Sequence, residues 1–147
     1  MKHDIFFDGN VKEYSWTIRT EEKLAEQIRS HPPAYLSGGK LDVKSIEESK
    51  FIALHVGIYW GLGVYIIKDN DQINIMCDSK IMYEIFNKGK KSDNQIINDK
   101  VHFVNQLTEL RKLKMSFWMI DAEENLSTRH LFTEGKDTAG RDSFRYV

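Results

Sequence analysis

The chain opens on Ile5-Phe6-Phe7-Asp8-Gly9-Asn10, and a second run of the same kind, Ile73-Asn74-Ile75-Met76-Cys77-Asp78-Ser79, follows much later. Each is a short apolar stretch that ends on an aspartate and a small residue, the pattern of a strand that stops at a turn. An aspartate there has an ordinary use as a turn residue, because it tolerates unusual backbone angles. On neighbouring strands, two such aspartates also place two carboxylates at one sheet edge. With a helix delivering a glutamate they make an oxygen-rich cage suited to a hard divalent cation such as Mg²⁺.

The segment between the two runs supplies that helix. Ser45 stands three residues before Glu48, the spacing of a capping box, and Glu47, Phe51, Leu54, Ile58 and Gly61 then fall on one stripe at helical spacing. Gly57 and Gly61 let such a helix approach a sheet closely. The capping box ties Glu48 to the helix start and leaves Glu47 along the packed stripe. Spacing alone leaves both as candidates for the glutamate that faces the aspartates.

The remaining elements follow from periodicity. Tyr14-Ser15-Trp16-Thr17-Ile18 is aromatic and β-branched and reads as a strand. In Thr20–His31, good helix formers follow a capping threonine, so local propensity favours a helix. Pro32-Pro33 ends that element, and Ser37-Gly38-Gly39-Lys40 is a link. Asn70-Asp71 makes a turn before the strand Gln72–Asp78, and Ser79–Asn87 is a helix with Ile81, Met82, Ile85 and Phe86 inward. A further helix from about Asn94 to Leu113 buries Ile96, Ile97, Val101, Val104, Leu107 and Leu110. Met115–Ile120 is the last strand, followed by a short helix over Asn125–Thr133. Strands arranged first as hairpins and then alternating with helices give an α/β domain with a mixed sheet.

This order of strand with Asp-Gly, hairpin, Glu-bearing helix, strand with Asp-Ser, and helix resembles the ribonuclease H family, most closely the type 1 form and the related domains of reverse transcriptases. A fourth match is Phe117-Trp118-Met119-Ile120 followed by Glu123-Glu124-Asn125, similar to the family's last strand and the Asn before its final acidic residue. The resemblance spans Ile5 to about Phe132. It implies a ribonuclease H-like fold with a five-stranded mixed sheet flanked by helices. It also implies a third strand within Thr20–His31, with Leu24 and Ile28 facing the core.

The activity implied is metal-dependent endonucleolytic hydrolysis of the RNA strand of RNA/DNA hybrids, with two Mg²⁺ ions about 3.5–4 Å apart and Mn²⁺ as a substitute. Asp8 would bridge both ions, Asp78 would bind the nucleophile-side ion, and Glu47 or Glu48 the other, near the 2′-hydroxyl that marks RNA. Asn10 and Ser79 beside the aspartates, and the basic run Lys88, Lys90 and Lys91, would touch the substrate, unless the lysines only complement a helix end. The chain departs from the family at its fourth acid, whose place falls near Arg129. His130, Glu123, Glu124 and Asp142 are the residues at hand there. Two other outcomes stay open: a structure-selective DNA nuclease or resolvase on the same sheet, and a domain that has lost catalysis and binds nucleic acid or protein.

Composition bounds these readings. With 147 residues, 41% of them hydrophobic, the chain has material for one core. The expectation is a single domain over 1–134, a tail over 135–147, and a monomer. A net charge of −1 argues against a protein that coats nucleic acid electrostatically. Phe51 to Ile67 falls short of the roughly 20 apolar residues a membrane span needs. Met1-Lys2-His3-Asp4 runs into a strand with no apolar signal region, so a cytoplasmic protein is expected, with no membrane partner. Cys77 reads as a buried small hydrophobe, and Trp16, Trp60 and Trp118 as core or sheet-face residues. His3, His31, His55 and His102 lack zinc spacing, and Gly38-Gly39-Lys40 lacks the rest of a phosphate-binding loop.

Overall fold

The computed structural model describes residues 1–32 and 45–131. Strands β1 (Lys2–Gly9), β2 (Glu13–Thr20) and β3 (Lys23–Ser30) precede helix α1 (Ile46–Gly63), strand β4 (Gln72–Cys77), helices α2 (Lys80–Lys88) and α3 (Gln95–Arg111), and strand β5 (Lys114–Met119). Two 3₁₀ turns follow, at Ala122–Glu124 and Thr128–His130. Among the described residues the strands form one sheet in the order β3-β2-β1-β4-β5. The first three are antiparallel, and β4 and β5 continue the sheet parallel to β1. The expected mixed five-stranded α/β architecture is therefore present.

β3 forms although its residues are good helix formers. All eight of its residues pair with β2, from Lys23 opposite Thr20 to Ser30 opposite Glu13, and this ladder overrides a weak local preference. The pairing also corrects the face assigned to its side chains. Ile18 of the core lies opposite Ala25, so Ala25 faces the helices, while Leu24 and Ile28 stand on the other face with Arg19 and Ser15. Side chains alternate strictly along a strand, so a slip of one residue inverts the whole set.

The core lies between the sheet and α1. Ile5 and Phe7, Trp16 and Ile18, and Ile73, Ile75 and Cys77 meet Phe51, Leu54 and Ile58, all buried. Gly57 sets the distance of closest approach: a Cβ there would lie 3.0 Å from both Cβ and Cγ of Trp16. Two expected core positions are corrected: Ile81 (58% exposed) and Leu110 (75%) point outward from α2 and α3. Trp118, expected in the core or on a sheet face, stands on the open face of edge strand β5. The helix expected over Asn125–Thr133 is only the 3₁₀ turn Thr128–His130 within the described residues. The expected tail, 135–147, lies outside them, as does the Ser37–Lys40 link.

No helix among the described residues is long and apolar enough to cross a membrane. Burial pushes the Cys77 thiol up to about 12, helped by the nearby Asp78 charge, so it stays protonated and acts as an apolar side chain.

Candidate functional site

The parallel register of β1 and β4 runs from Lys2 opposite Gln72 to Phe6 opposite Met76. Carried two residues further, the same register sets Asp8 beside Asp78 at the strand ends. Two carboxylates on adjacent strands repel unless a cation or donors neutralise them. Both kinds of neutralising group are present. Lys50 Nζ, from the second turn of α1, lies 2.9 Å from Asp78 Oδ1 and 3.9 Å from Asp8 Oδ1. Asp8 Oδ1 also accepts the Gly9 N–H at 2.8 Å, and its Oδ2 accepts the Thr128 hydroxyl at 2.6 Å. Asp78 Oδ2 accepts the Asn125 side-chain amide at 2.9 Å. All four carboxylate oxygens thus have a donor from this chain.

The turn after β5 is pinned to the same place. Asn125 Nδ2 also donates to the Phe7 carbonyl at 2.9 Å, and the buried Ser127 Oγ lies 3.0 Å from the Phe6 carbonyl and 2.9 Å from Thr17 Oγ1. Ser15 donates its hydroxyl to the Ser127 carbonyl at 2.8 Å. These bonds hold Thr128 against Asp8.

The two glutamates of α1 divide as the capping pattern suggests. Glu48 is buried; its backbone N–H donates to Ser45 Oγ at 3.1 Å, and its Oε2 accepts Asn94 Nδ2, from the cap of α3, at 3.0 Å. Glu47 instead faces Ser79, whose hydroxyl lies 3.1 and 2.9 Å from its two carboxylate oxygens. Ser79 is also the cap of α2, accepting the Met82 N–H at 3.3 Å. Lys50 is an α1 side chain that reaches both aspartates. Burial acts to lower its pKa, yet the hydrogen bond to Asp78 and the charges of Asp78, Asp8 and Glu47 hold it above the ordinary lysine value.

Sequence reasoning missed Lys50, although its signal was present. Lys50 stands three residues after Glu47, and residues at that spacing share a helix face. Whatever turns Glu47 toward the strand ends turns Lys50 there too.

The candidates for the fourth acidic position lie elsewhere. The Arg129 guanidinium and His130 Nε2 both meet Glu26 Oε1 of β3, the latter at 3.1 Å. Glu124 accepts the Asp121 N–H in a capping box, Glu123 is exposed in the same turn, and Asp142 lies outside the described residues. Asn10 Oδ1 accepts the N–H groups of Lys12 and Glu13 and so closes the β1–β2 turn. Lys88, the last residue of α2, and Lys90 and Lys91 beyond it are exposed; Glu84 binds Lys90 at 2.8 Å and approaches Lys88 at 3.8 Å. The hydrogen bond and charge of Lys90 hold the Glu84 carboxyl below its usual range.

This donor set does not fit a pair of divalent ions. Mg²⁺ requires oxygens at about 2.0–2.1 Å in near-octahedral array. Here an ammonium stands against the oxygens such an ion would use, and the side chain that the turn after β5 brings to Asp8 is the Thr128 hydroxyl, not a carboxylate. Among the described residues no three His, Cys, Asp or Glu side chains come together as a metal-holding group.

No protein-family model matches the chain, and no curated protein does. Solved structures do resemble it. Ribonuclease H1 from the halophilic archaeon Halobacterium salinarum is 11% identical with a TM-score of 0.64, over 85% of this chain and 89% of that one. The N-terminal ribonuclease H domain of a Mycobacterium tuberculosis protein is 14% identical with a TM-score of 0.64, over 88% and 95%. LC11 ribonuclease H1, solved in complex with an RNA/DNA hybrid, is 9% identical with a TM-score of 0.57, over 87% and 91%. These likenesses establish the ribonuclease H-like fold that the sequence motifs imply.

Proposed function

We propose that this domain binds nucleic acid, an RNA/DNA hybrid in the first place, and does not hydrolyse it. The observation that carries the reading is Lys50 between Asp8 and Asp78. Two-metal hydrolysis needs carboxylates free to hold two ions around the scissile phosphate. In this chain the same carboxylates are neutralised internally, and the turn after β5 brings the Thr128 hydroxyl rather than a carboxylate to Asp8. Binding does not need that cage. The fold is one that a hybrid-bound neighbour shares, and Lys88, Lys90 and Lys91 provide an exposed cationic edge for phosphates. With a net charge of −1 the electrostatic footprint is local to that edge.

The test combines binding and cleavage. Labelled RNA/DNA hybrid, duplex DNA and branched DNA are titrated with the protein and followed by anisotropy, then incubated with Mg²⁺ or Mn²⁺ and run on denaturing gels. Salt-sensitive binding of intact hybrid is the expected result. Cleavage that Asp8→Asn and Asp78→Asn each abolish would instead restore a metal-dependent endonuclease, and cutting of branched DNA alone would point to a resolvase. Absence of binding to every nucleic acid would overturn the reading in favour of a protein-binding module.

A further inference from the structure

We infer that Lys50 is the resident cation of the Asp8–Asp78 pair, taking the electrostatic place of a divalent ion so that the native domain needs none and admits none. The inference rests on the reading of the site as non-hydrolytic and deepens it, because it names what holds the site in that state. Its basis is the geometry of one side chain. An ammonium 2.9 Å from Asp78 Oδ1 and 3.9 Å from Asp8 Oδ1 sits where an ion shared by both carboxylates would sit. An added divalent ion would meet a positive charge at close range, in a site where the lysine side chain is only 13% exposed and water screens little.

The other donors complete the arrangement rather than open it. Gly9, Thr128 and Asn125 satisfy the remaining carboxylate oxygens, so removal of Lys50 leaves one oxygen of Asp78 without its partner and two like charges side by side. A buried pair that loses its counter-charge is strongly destabilised. That penalty is what an ion can relieve. Lys50 is therefore both the lock on the site and the group whose loss would create a need for metal.

The experiment uses the full chain and no nucleic acid, so its outcome is independent of whether hybrid is bound or cut. Mn²⁺ and Mg²⁺ are titrated by calorimetry into the parent, Lys50→Glu, Lys50→Met and Lys50→Arg, and thermal unfolding is followed with chelator and with excess Mn²⁺. The parent and Lys50→Arg are expected to give no saturable heat and the same unfolding temperature in both media. Lys50→Glu, which adds a carboxylate beside Asp8 and Asp78, should bind Mn²⁺ at least roughly tenfold more tightly than the parent and unfold at higher temperature with it. Lys50→Met should show the same direction more weakly, and adding Asp78→Asn should abolish the gain. Should both charge-removing variants fail to fold, the parent decides: Mn²⁺ must leave the amide resonances of Asp8, Gly9 and Asp78 unbroadened. Specific broadening there, saturable ion binding by the parent, or a folded Lys50→Glu that takes no ion would each overturn the inference.

Discussion

Asn125 donates its side-chain amide to Asp78 across 2.9 Å, and that contact joins the turn after β5 to the end of β4. The same nitrogen serves the Phe7 carbonyl, while Asn125 Oδ1 accepts the Ser127 N–H at 3.0 Å. One buried amide therefore fixes the relative position of three segments that are far apart in sequence. Asn125→Ala should lower unfolding stability by about 2–3 kcal/mol, because it strands a carbonyl and part of a carboxylate in a dry place. Urea denaturation measures this directly. Asn125→Asp should cost at least as much, since it sets a third carboxylate against Asp78; a loss below about 1 kcal/mol in both would mean that the turn is held by other contacts.

The glycines of α1 separate close approach from free space. A Cβ at Gly57 would meet Cβ and Cγ of Trp16 at 3.0 Å, the first of which moves only with the β2 backbone, whereas at Gly61 it would meet the terminal methyls of Ile67 and Ile18 at 2.7 and 2.9 Å. Gly63 has nothing within 4 Å. Gly57→Ala should cost about 1–3 kcal/mol by overpacking, and Gly61→Ala less. Gly63→Ala should be neutral or gain up to about 1 kcal/mol from helix propensity. Thermal unfolding of the three variants tests the order.

The sequence made the strand-ending aspartates legible because Asp8 and Asp78 close apolar runs at the ends of parallel strands, where composition changes abruptly. The helix start was legible for the same reason: Ser45 and Glu48 carry a local chemical pattern that survives in the fold. What depended on pairing was not legible. Whether Ala25 or Leu24 faces the core follows from the two-residue turn at Glu21-Glu22, which sets the register of β3 on β2. Leu110 looked like core by helical spacing, yet it is 75% exposed near the end of α3. Lys50 was passed over because a search for metal ligands looks for carboxylates, and the decisive residue was the cation among them.

His55 should dominate part of the acid response. Burial, and then the charge of Lys100 at 3.4 Å, lower its pKa to about 4 from the ordinary 6.5. The native imidazole is thus neutral over a range where the unfolded chain takes up a proton. A group with a depressed folded pKa contributes stability that is complete above the unfolded value and lost as pH falls toward the folded one. Stability should therefore decline between pH 6.5 and about 4, and His55→Asn should flatten that decline relative to the parent. Urea midpoints at several pH values across the window check it; identical slopes in the two proteins would show that His55 does not titrate this way.

The two neighbouring glutamates should separate cleanly. Glu48 is buried between the Ser45 hydroxyl and the Asn94 amide, both donors, so Glu48→Gln turns an amide toward at least one of them. A loss of about 1–2 kcal/mol is expected. Glu47 is half-buried and accepts from Ser79, a role that the carbonyl of glutamine also fills, so Glu47→Gln should stay within about 0.5 kcal/mol of the parent. Equal losses in calorimetric unfolding would mean that the two side chains are not divided between cap and site.

The last prediction concerns grip on nucleic acid. Glu84 draws Lys90 to 2.8 Å and Lys88 to 3.8 Å, so it offsets part of the charge that the basic edge presents, while Lys91 is also exposed there. Removing that carboxylate should release cationic charge without touching the core, because all these groups lie on the outer end of α2. Glu84→Gln is expected to tighten hybrid binding several-fold and to steepen its salt dependence, each added phosphate contact contributing about 0.9 to the log–log slope on duplex DNA. Replacing Lys88, Lys90 and Lys91 together by Gln should shift both quantities the other way. Anisotropy titrations between low and moderate salt give affinity and slope in one series. If Glu84→Gln and the triple lysine variant both match the parent, the run after α2 is a solvated helix end and the hybrid is held by another face of the domain.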